Sequence, residues 1–567
     1  MGYRRVHSID GGFARCFVRT RPLPVAVAVS AALALVYVIW EPATTDLAAQ
    51  TFRAELWERE GFVIWNPDWY GGHTVPGYSL LYPPLGAWLG PALLGGLSAV
   101  AATWLFARLV LARWGESAWL GVLWFGFASA VATFSGRITF ALGLALGLAA
   151  LTAVQRRRTG WAALAGLLTA AASPVAGLFL LLACAAIVLE DRFPLGAGGG
   201  EPAAGAAAGA GVGAALGLAA LALAFPTGGY QPFTLDSFVW IPLVAVATLA
   251  LVGRREGAIL WGAILYVALA LAAFAVQTPL GGNAIRLGAT FAGPLLAILL
   301  IRRRPLLLAV VAVPLLWWQW HTTVSDVAAT VGDESAERAY YEPLLAELDR
   351  RNPEGRPIRV RVPPTRNRGE AVYLPPAVML DGGWMRQLES DDFDFLERDE
   401  IGAREYRRWS RSRGLSYLAV NDAEPDKLAV AERELLEGGR RPGPPPVWSD
   451  GHWRLYELSK PGRSSPLVLE AERSARGPDR TELTSVEPDG FTVRTDATSL
   501  VLDLNYTPYF EVVEGDACVE EAPAPHEGKT LLTVGGADAD ARPARPRAIR
   551  VEARLSLRGL LREGEPC

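Results

Sequence analysis

The chain has 567 residues, is 51% hydrophobic and carries 54 basic against 58 acidic side chains, a net of −4. Those averages hide two halves: up to Thr322 there are 20 Arg, no Lys and 13 acidic residues, and beyond it 34 basic and 45 acidic ones. Long apolar runs fill the first half and are absent from the second, which excludes a single soluble globule, a disordered chain and a small disulfide scaffold. A polytopic α-helical membrane domain followed by a water-soluble part remains. The abundance of Ala, Gly, Pro and Arg beside three Lys suggests a GC-rich bacterial genome.

Stretches long enough to cross a bilayer of ~30 Å fall at 23–40, 83–112, 117–134, 138–154, 203–224, 238–253, 257–276, 285–301 and 305–320. The stretch 160–189 is broken by Ser173-Pro174, where proline removes a backbone donor and disfavours helix in the residue before it. Read as two short helices, it puts Arg4, Arg5, Arg15, Arg19, Arg21, Arg108, Arg113, Arg192, Arg254, Arg255 and the arginines at 156–158 and 302–304 on one side. Only Arg53, Arg59, Arg137 and Arg286 then fall on the other. Positive loops stay cytoplasmic, so eleven crossings are predicted, N-terminus inside and C-terminus outside. A re-entrant hairpin lining a cavity is the alternative for 160–189. Segment 23–40 ends in Tyr37-Val38-Ile39-Trp40 without a small-residue cleavage site and is read as a retained helix. The Ala/Gly-rich run 196–221 suits close helix packing.

The first outer loop holds Glu41 and Asp46, then Leu47, Phe52, Leu56 and Trp57 at helical spacing, which predicts an amphipathic helix along the membrane surface. Asp46 reads either as a helix cap, in competition with Thr44 and Thr45, or as a carboxylate at the outer bilayer boundary facing a lipid-borne substrate. The loop continues through Trp65-Asn66-Pro67-Asp68-Trp69-Tyr70-Gly71-Gly72-His73 to Tyr78 and Tyr82-Pro83-Pro84-Leu85.

An acidic residue just after the first span, an amphipathic loop helix, a Trp-x-Pro-x-Trp-x-Gly-Gly stretch and a Tyr-x-x-x-Tyr-Pro-Pro-Leu start to the second span resemble the GT-C class of integral membrane glycosyltransferases. That class includes protein mannosyltransferases, the oligosaccharyltransferase catalytic subunit and actinobacterial arabinofuranosyltransferases. The layout covers about 20–322, the motifs about 41–85, and bacterial members with an extracytoplasmic C-terminal domain are the most similar. The resemblance implies inverting transfer of a sugar from a polyprenyl-phosphate donor to a glycan or lipid acceptor of the cell envelope, at the outer face of the plasma membrane, with Asp46 as general base. Glu41, Asp68, Tyr70, His73 and Tyr82 are the loop residues expected at the substrate.

The loop has no Asp-x-Asp, and only Glu41 and Asp68 are near enough to pair with Asp46, so no metal is expected. The five His are too scattered for zinc, and His73 reads equally as a turn residue. A lipid phosphate needs a cation on the outer side: Arg137 and Arg286 qualify, since guanidinium pairs with phosphate bidentately. Either also reads as a snorkelling interfacial arginine, Arg137 above all. Gly281-Gly282-Asn283 before Arg286 is expected to leave backbone donors free around an anion. The loop 225–233 is expected to floor a sugar pocket or to belong to the aromatic belt.

Beyond residue 322 a helix is predicted at 335–350, strands near 357–362, 370–374, 415–420 and 453–458, and helices near 401–413 and 424–438: an α/β module at 323–462. Short alternating strands near 467–472, 491–495, 499–505, 509–513, 529–534 and 547–557 predict a β-sandwich at 463–567. Trp384, Trp448, Trp453, Tyr506 and Tyr509 are read as packing or as glycan-stacking residues. Cys518 and Cys567 share this outer module, where a disulfide is expected. No nucleotide-binding loop or hydrolase elbow appears, and the acidic outer half argues against nucleic acid. The alternative to an enzyme is a membrane protein that translocates or scaffolds envelope polysaccharide or lipid.

Overall fold

The computed structural model describes residues 21–69, 71–195, 203–226, 228–251, 256–384, 388–438, 445–459, 466–472, 481–535 and 546–562. Its first half is helical. The longer elements are α1 (Pro22–Trp40), α2 (Thr45–Glu60), α3 (Tyr82–Leu89), α4 (Pro91–Trp114), α5 (Trp119–Phe134), α6 (Ile138–Gln155), α7 (Thr159–Ala172), α8 (Pro174–Arg192), α9 (Ala204–Ala224), α10 (Trp240–Leu251), α11 (Gly257–Ala275), α12 (Ile285–Leu300) and α13 (Pro305–Ala329). Among the described residues eight helices are long and apolar enough to cross a membrane when Pro91–Phe134 is counted as one, and Thr159–Ala172 and Leu235–Leu251 are shorter apolar stretches.

Contacts between the helix ends decide how often the chain crosses. At one end the Nε2 of Gln155 donates to the carbonyl of Leu109, Arg113 pairs with Glu256, and the Nε1 of Trp261 donates to the carbonyl of Phe193. At the other, the amide of Leu80 donates to Ala171, that of Gln231 to Thr278, and the hydroxyl of Tyr509 to Ala224. Helices α8 and α11 therefore run from one end to the other, and the break between α7 and α8 lies at the second end, as expected of two separate passes in a multi-pass membrane domain. The break between them is the expected one: Ser173 is extended, and its hydroxyl accepts from the amide of Ala176 to cap α8. A β-carbon on Gly166 or Gly213 would run into the carbonyls of Ala210 and Ala163, so the small residues of α7 and α9 do let two backbones close together.

The loop between α2 and α3 carries two two-residue antiparallel strands, β1 (Trp65–Asn66) and β2 (His73–Thr74), and the second half contains two sheet structures. In the first, β3 (Arg359–Arg361) lies parallel to β4 (Met379–Asp381) and β5 (Tyr417–Asn421), β5 pairs antiparallel with β7 (Trp453–Glu457), and β7 pairs antiparallel with β6 (Trp448–Ser449). Helices α14 (Arg338–Arg351), α15 (Ala403–Ser412) and α16 (Val430–Glu437) belong with it. The predicted strand at 370–374 is instead a five-residue helix, Gly369–Tyr373; Asn367 accepts from the amide of Gly369 and starts a turn that alternation alone cannot register. The second structure is an all-antiparallel pair of four-stranded sheets. One has the order β12 (Phe510–Glu514), β15 (Arg547–Ala553), β10 (Gly490–Thr495), β9 (Glu482–Glu487), and the other β13 (Ala517–Glu521), β14 (Lys529–Val534), β11 (Ser499–Asn505), β8 (Val468–Glu472). Phe491, Val493, Leu500, Leu502, Leu532, Ile549 and Val551 fill the space between them, which is the expected sandwich. In this half strands β4, β6, β9 and β13 fall outside the predicted strands. Cys518 lies on β13, and Cys567 is outside the described residues.

The loop between α1 and α3 ties the halves together. Trp65 is buried in the sandwich core and donates its Nε1 to the carbonyl of Asn505. Trp69 is buried in the other sheet's core, edge-on to Phe52 with ring centroids 5.4 Å apart. Ala48, Ala49, Phe52 and Leu56 of α2 join that same core beside Val360, Leu380 and Leu455. The apolar side of α2 is thus covered by the soluble half, and the expectation that it lies on the membrane is corrected. Periodicity reports that one side of a helix is covered and is silent about what covers it.

Candidate active site

Helix α5 ends in a Schellman turn: the amide of Gly136 donates to Thr133 and that of Arg137 to Ala132, with Gly136 left-handed at φ +74°. The turn packs on the start of α2, where a β-carbon on Gly136 would run into the backbone nitrogen of Leu47. That close approach places Arg137 against Asp46. Its Nε donates to Asp46 Oδ2 at 2.7 Å, and both side chains keep partial exposure, 31% and 27%. Thr44 precedes α2 without a side-chain capping bond, so Asp46 serves as an ion-pair partner in the first turn and not as the cap.

Arg286, on the first turn of α12, reaches the same place. Its guanidinium lies 5.6 Å from the Phe140 ring centroid and has Arg137, Tyr78 and Asp46 as electrostatic neighbours. Asp326, near the end of α13, faces Arg137, Asp46, Arg366 and Lys427. The sheet-rich half closes over this group: Thr45 Oγ1 donates to the carbonyl of Arg366 at 2.7 Å, and the guanidinium of Arg366 reaches the carbonyl of Ser325 and the carboxylate of Glu424. Two carboxylates and two arginines therefore share one boundary between the helical half and the sheet-rich half. Asp46, Arg137 and Arg286 were singled out in the sequence, whereas Tyr78, Asp326 and Arg366 were not. An aspartate closing a long apolar helix was a usable signal for Asp326; Arg366 gave none.

The other singled-out residues lie elsewhere. Glu41 is exposed in the left-handed turn that ends α1. Tyr82 is buried at the start of α3 among Tyr37, Phe134 and Ile138. Tyr70 falls outside the described residues. Asn283 sits in a 3₁₀ turn before α12, and the amides of Gly281, Gly282 and Asn283 already donate to Thr278, Pro232 and Leu280. Those donors are spent on the turn and are not free for an anion, contrary to expectation. In the loop 225–233, Phe225 packs on Phe62 and Tyr509, and Phe233 on Phe238 and Phe274. Trp453 and Tyr509 are buried with their polar atoms bonded to the carbonyls of Tyr340 and Ala224, which makes them packing residues. Trp384 lies tilted against Trp69, ring centroids 5.4 Å apart, and meets Tyr78 edge-on.

Asp68 and His73 dock the loop. The carbonyl of Asp68 accepts from Leu380, and its carboxylate accepts from Asn66. The Nε2 of His73 lies 3.3 Å from Asn505 and 3.9 Å from Glu389, in a crevice shared by Arg413, Asp381, Asp503 and Lys529. Gly71 and Gly72 pass through it in left-handed conformations, where side chains would strike Glu389 and Asn505. Burial, with Lys529 and Arg413 adding to it, pushes His73 from its ordinary 6.5 down to about 4. Between those values the unfolded chain takes up a proton that the folded one refuses, so this residue costs stability as pH falls through that window. Burial acts with the opposite sign on Asp68, raising it from 3.8 to about 6, so its uptake of a proton below that point favours the fold. His73→Asn is expected to lose less melting temperature than the parent between pH 6.5 and 4. Equal losses would mean that the ring is not held neutral.

Among the described residues no three His, Cys, Asp or Glu side chains gather in a metal-binding group. No protein-family model matches the sequence, and no curated protein matches it. Among solved structures the chain is similar to the arabinofuranosyltransferase AftD from Mycobacteria, at 16% identity and a TM-score of 0.39 over 92% of this chain and 40% of that one. A mutant form of the same protein is similar at 15% identity and the same TM-score of 0.39, over 94% of this chain and 59% of that one. The chain thus spans well under two thirds of the length of either.

Proposed function

We propose that the protein is a membrane glycosyltransferase that moves a sugar from a polyprenyl-phosphate donor to a glycan or lipid of the cell envelope. The observation that carries this reading is the Asp46–Arg137 ion pair beside Arg286, at the boundary that the soluble half covers. Arg137 and Arg286 hold the donor phosphate, whose charge competes with Asp46 for Arg137. Asp46, released in part, accepts the proton of the acceptor hydroxyl. The acceptor oxygen bonds to the anomeric carbon from the side opposite the phosphate, the bond from that carbon to the phosphate oxygen breaks, and the lipid phosphate leaves with the electron pair. Configuration inverts, and the two arginines neutralise the leaving charge that a divalent ion otherwise would.

In this reading the N-terminus is cytoplasmic, and the site and the sheet-rich half face outward across the plasma membrane, an orientation that the arginine distribution favours. The two sheet structures form extracytoplasmic modules over the site. The resemblance of the first loop to the GT-C class supports the same assignment. The test is transfer of labelled sugar by the purified full chain from a panel of polyprenyl-phosphate sugars to envelope-derived acceptors, with and without chelator. Transfer that survives the chelator is expected. Failure with every donor leaves the translocating or scaffolding role as the better account.

A further inference from the structure

The parallel strands of the first sheet stand in the order β4, β3, β5, so the chain leaves β3 to one side and returns on the other. In open sheets of this kind ligands bind outside the carboxyl ends of the strands, where the direction of winding reverses. The loops that leave those three ends all reach the Asp46, Arg137 and Arg286 group. The loop after β3 brings Arg366, whose carbonyl accepts from Thr45 beside Asp46 and whose guanidinium donates to the carbonyl of Ser325 beside Asp326. The loop after β4 brings Trp384, edge-on to Tyr78, which is an electrostatic neighbour of Arg286. The Tyr78 ring also receives the guanidinium of Arg53, 1% exposed on α2, at 4.2 Å from its centroid. The loop after β5 brings Lys427 and Glu424, the partner of Arg366. The amide of Arg366 donates to the carbonyl of Glu424 and that of Asp426 to Pro364, which joins the loops after β3 and β5 into one lip.

The charges under this lip do not satisfy one another. Asp326, half-buried near the end of α13, has Arg137, Arg366, Asp46 and Lys427 as electrostatic neighbours, yet among the described residues its carboxylate makes no hydrogen bond or ion pair. Lys427 is exposed and stands near Asp326 and Asp236 without pairing with either. An unpaired carboxylate and an unpaired ammonium beside an accessible ion pair suit a ligand that donates and accepts at several neighbouring points. Hydroxyls do both, and a sugar ring carries several of them. A lipid alcohol has one hydroxyl, which Asp46 alone would engage.

We infer that Asp326 and Lys427 bind the acceptor of the proposed transfer, and that this acceptor is a glycan. Hydroxyls next to the reacting one donate to Asp326 and accept from Lys427, and Arg366 is a positioning residue that fixes the lip on the end of α13. The inference rests on the glycosyl-transfer reading and narrows its acceptor from glycan or lipid to glycan.

The test begins with binding in the absence of any donor. The full chain in phosphatidylcholine nanodiscs is titrated with tetrasaccharides of galactose, arabinose, mannose and glucose, and with dodecanol as the lipid alcohol. Saturable binding of at least one tetrasaccharide is expected, weakened about tenfold or more in Asp326→Asn and in Lys427→Gln, each of which loses one charge-assisted bond. Dodecanol is expected not to displace it. If Asp326→Asn does not fold, Lys427→Gln, a substitution at an exposed position, decides alone. In the transfer assay both variants are expected to raise the KM for that tetrasaccharide to the same degree, with a donor KM no higher than the parent's. Absence of binding by every tetrasaccharide, equal affinity in parent and variants, or displacement by dodecanol would each overturn the inference. Binding that the variants lose, without transfer from any donor, leaves the sugar site standing and removes the transfer chemistry alone. Transfer in which the variants raise only the donor KM does the reverse.

Discussion

Asp46→Asn is expected to slow sugar transfer by about 10²- to 10⁴-fold, the usual contribution of a positioned general base. The amide keeps the size of the carboxylate and can still face Arg137, but it takes up no proton. Donor affinity is expected to hold or rise, because Arg137 and Arg286 remain and the phosphate no longer competes with a carboxylate for Arg137. Stability is expected to fall by only about 1 kcal/mol, since the ion pair lost is partly exposed and the helix start loses one favourable charge. Turnover and KM for the donor, measured with the melting temperature on the same preparation, separate the two effects. Full turnover in the variant would remove Asp46 from the chemistry and leave it a structural partner of Arg137.

The second large effect is expected at Gly136, which touches no substrate. An alanine there adopts a left-handed conformation at a cost of roughly 1–2 kcal/mol, and its β-carbon collides with the backbone of Leu47. The sum, on the order of 3 kcal/mol with the overpacking included, can be relieved only by drawing the turn away from α2. Arg137 moves with the turn. A displacement near 1 Å at a reacting constellation costs about 10²-fold in rate. Gly136→Ala is therefore expected to show a lowered melting temperature together with a rate loss of that order, while Asp46, Arg137 and Arg286 are all present. A variant with the parent's melting temperature and rate would show that the close approach does not position the arginine.

Much of the helical half was legible because its signal is local. Apolar runs set the crossings, and Ser173-Pro174 divided the ambiguous one where the two helices part. The ion pair was legible only as two separate residues. Asp46 and Arg137 are 91 positions apart, and nothing local says that the turn at Gly136 brings them within 2.7 Å. Trp65 and Trp69 stand in the sequence only as part of the loop motif, and their two indoles enter two different cores. A single sequence shows a large aromatic asking for burial and does not show where. Arg53 carried a signal that went unused: a charge flanked by Phe52 and Ala54 on the side of α2 that the apolar residues define.

The loop between α1 and α3 is made before the sheets, and the cores that receive Trp65, Trp69 and Phe52 are built mostly from residues beyond 339. Until those later strands are translated and folded, the loop presents bare aromatic surface, and α2 has nothing to rest its apolar side on. Domains generally fold as units, N-terminal first, and here that order leaves this loop waiting for the sheets that follow the helices. Arg366 and Lys427, which face Asp326 beside the ion pair, arrive equally late. Assembly of the whole boundary therefore acts as a check on completion: a chain cut short before its sheets would carry every crossing helix and still lack the walls of the site.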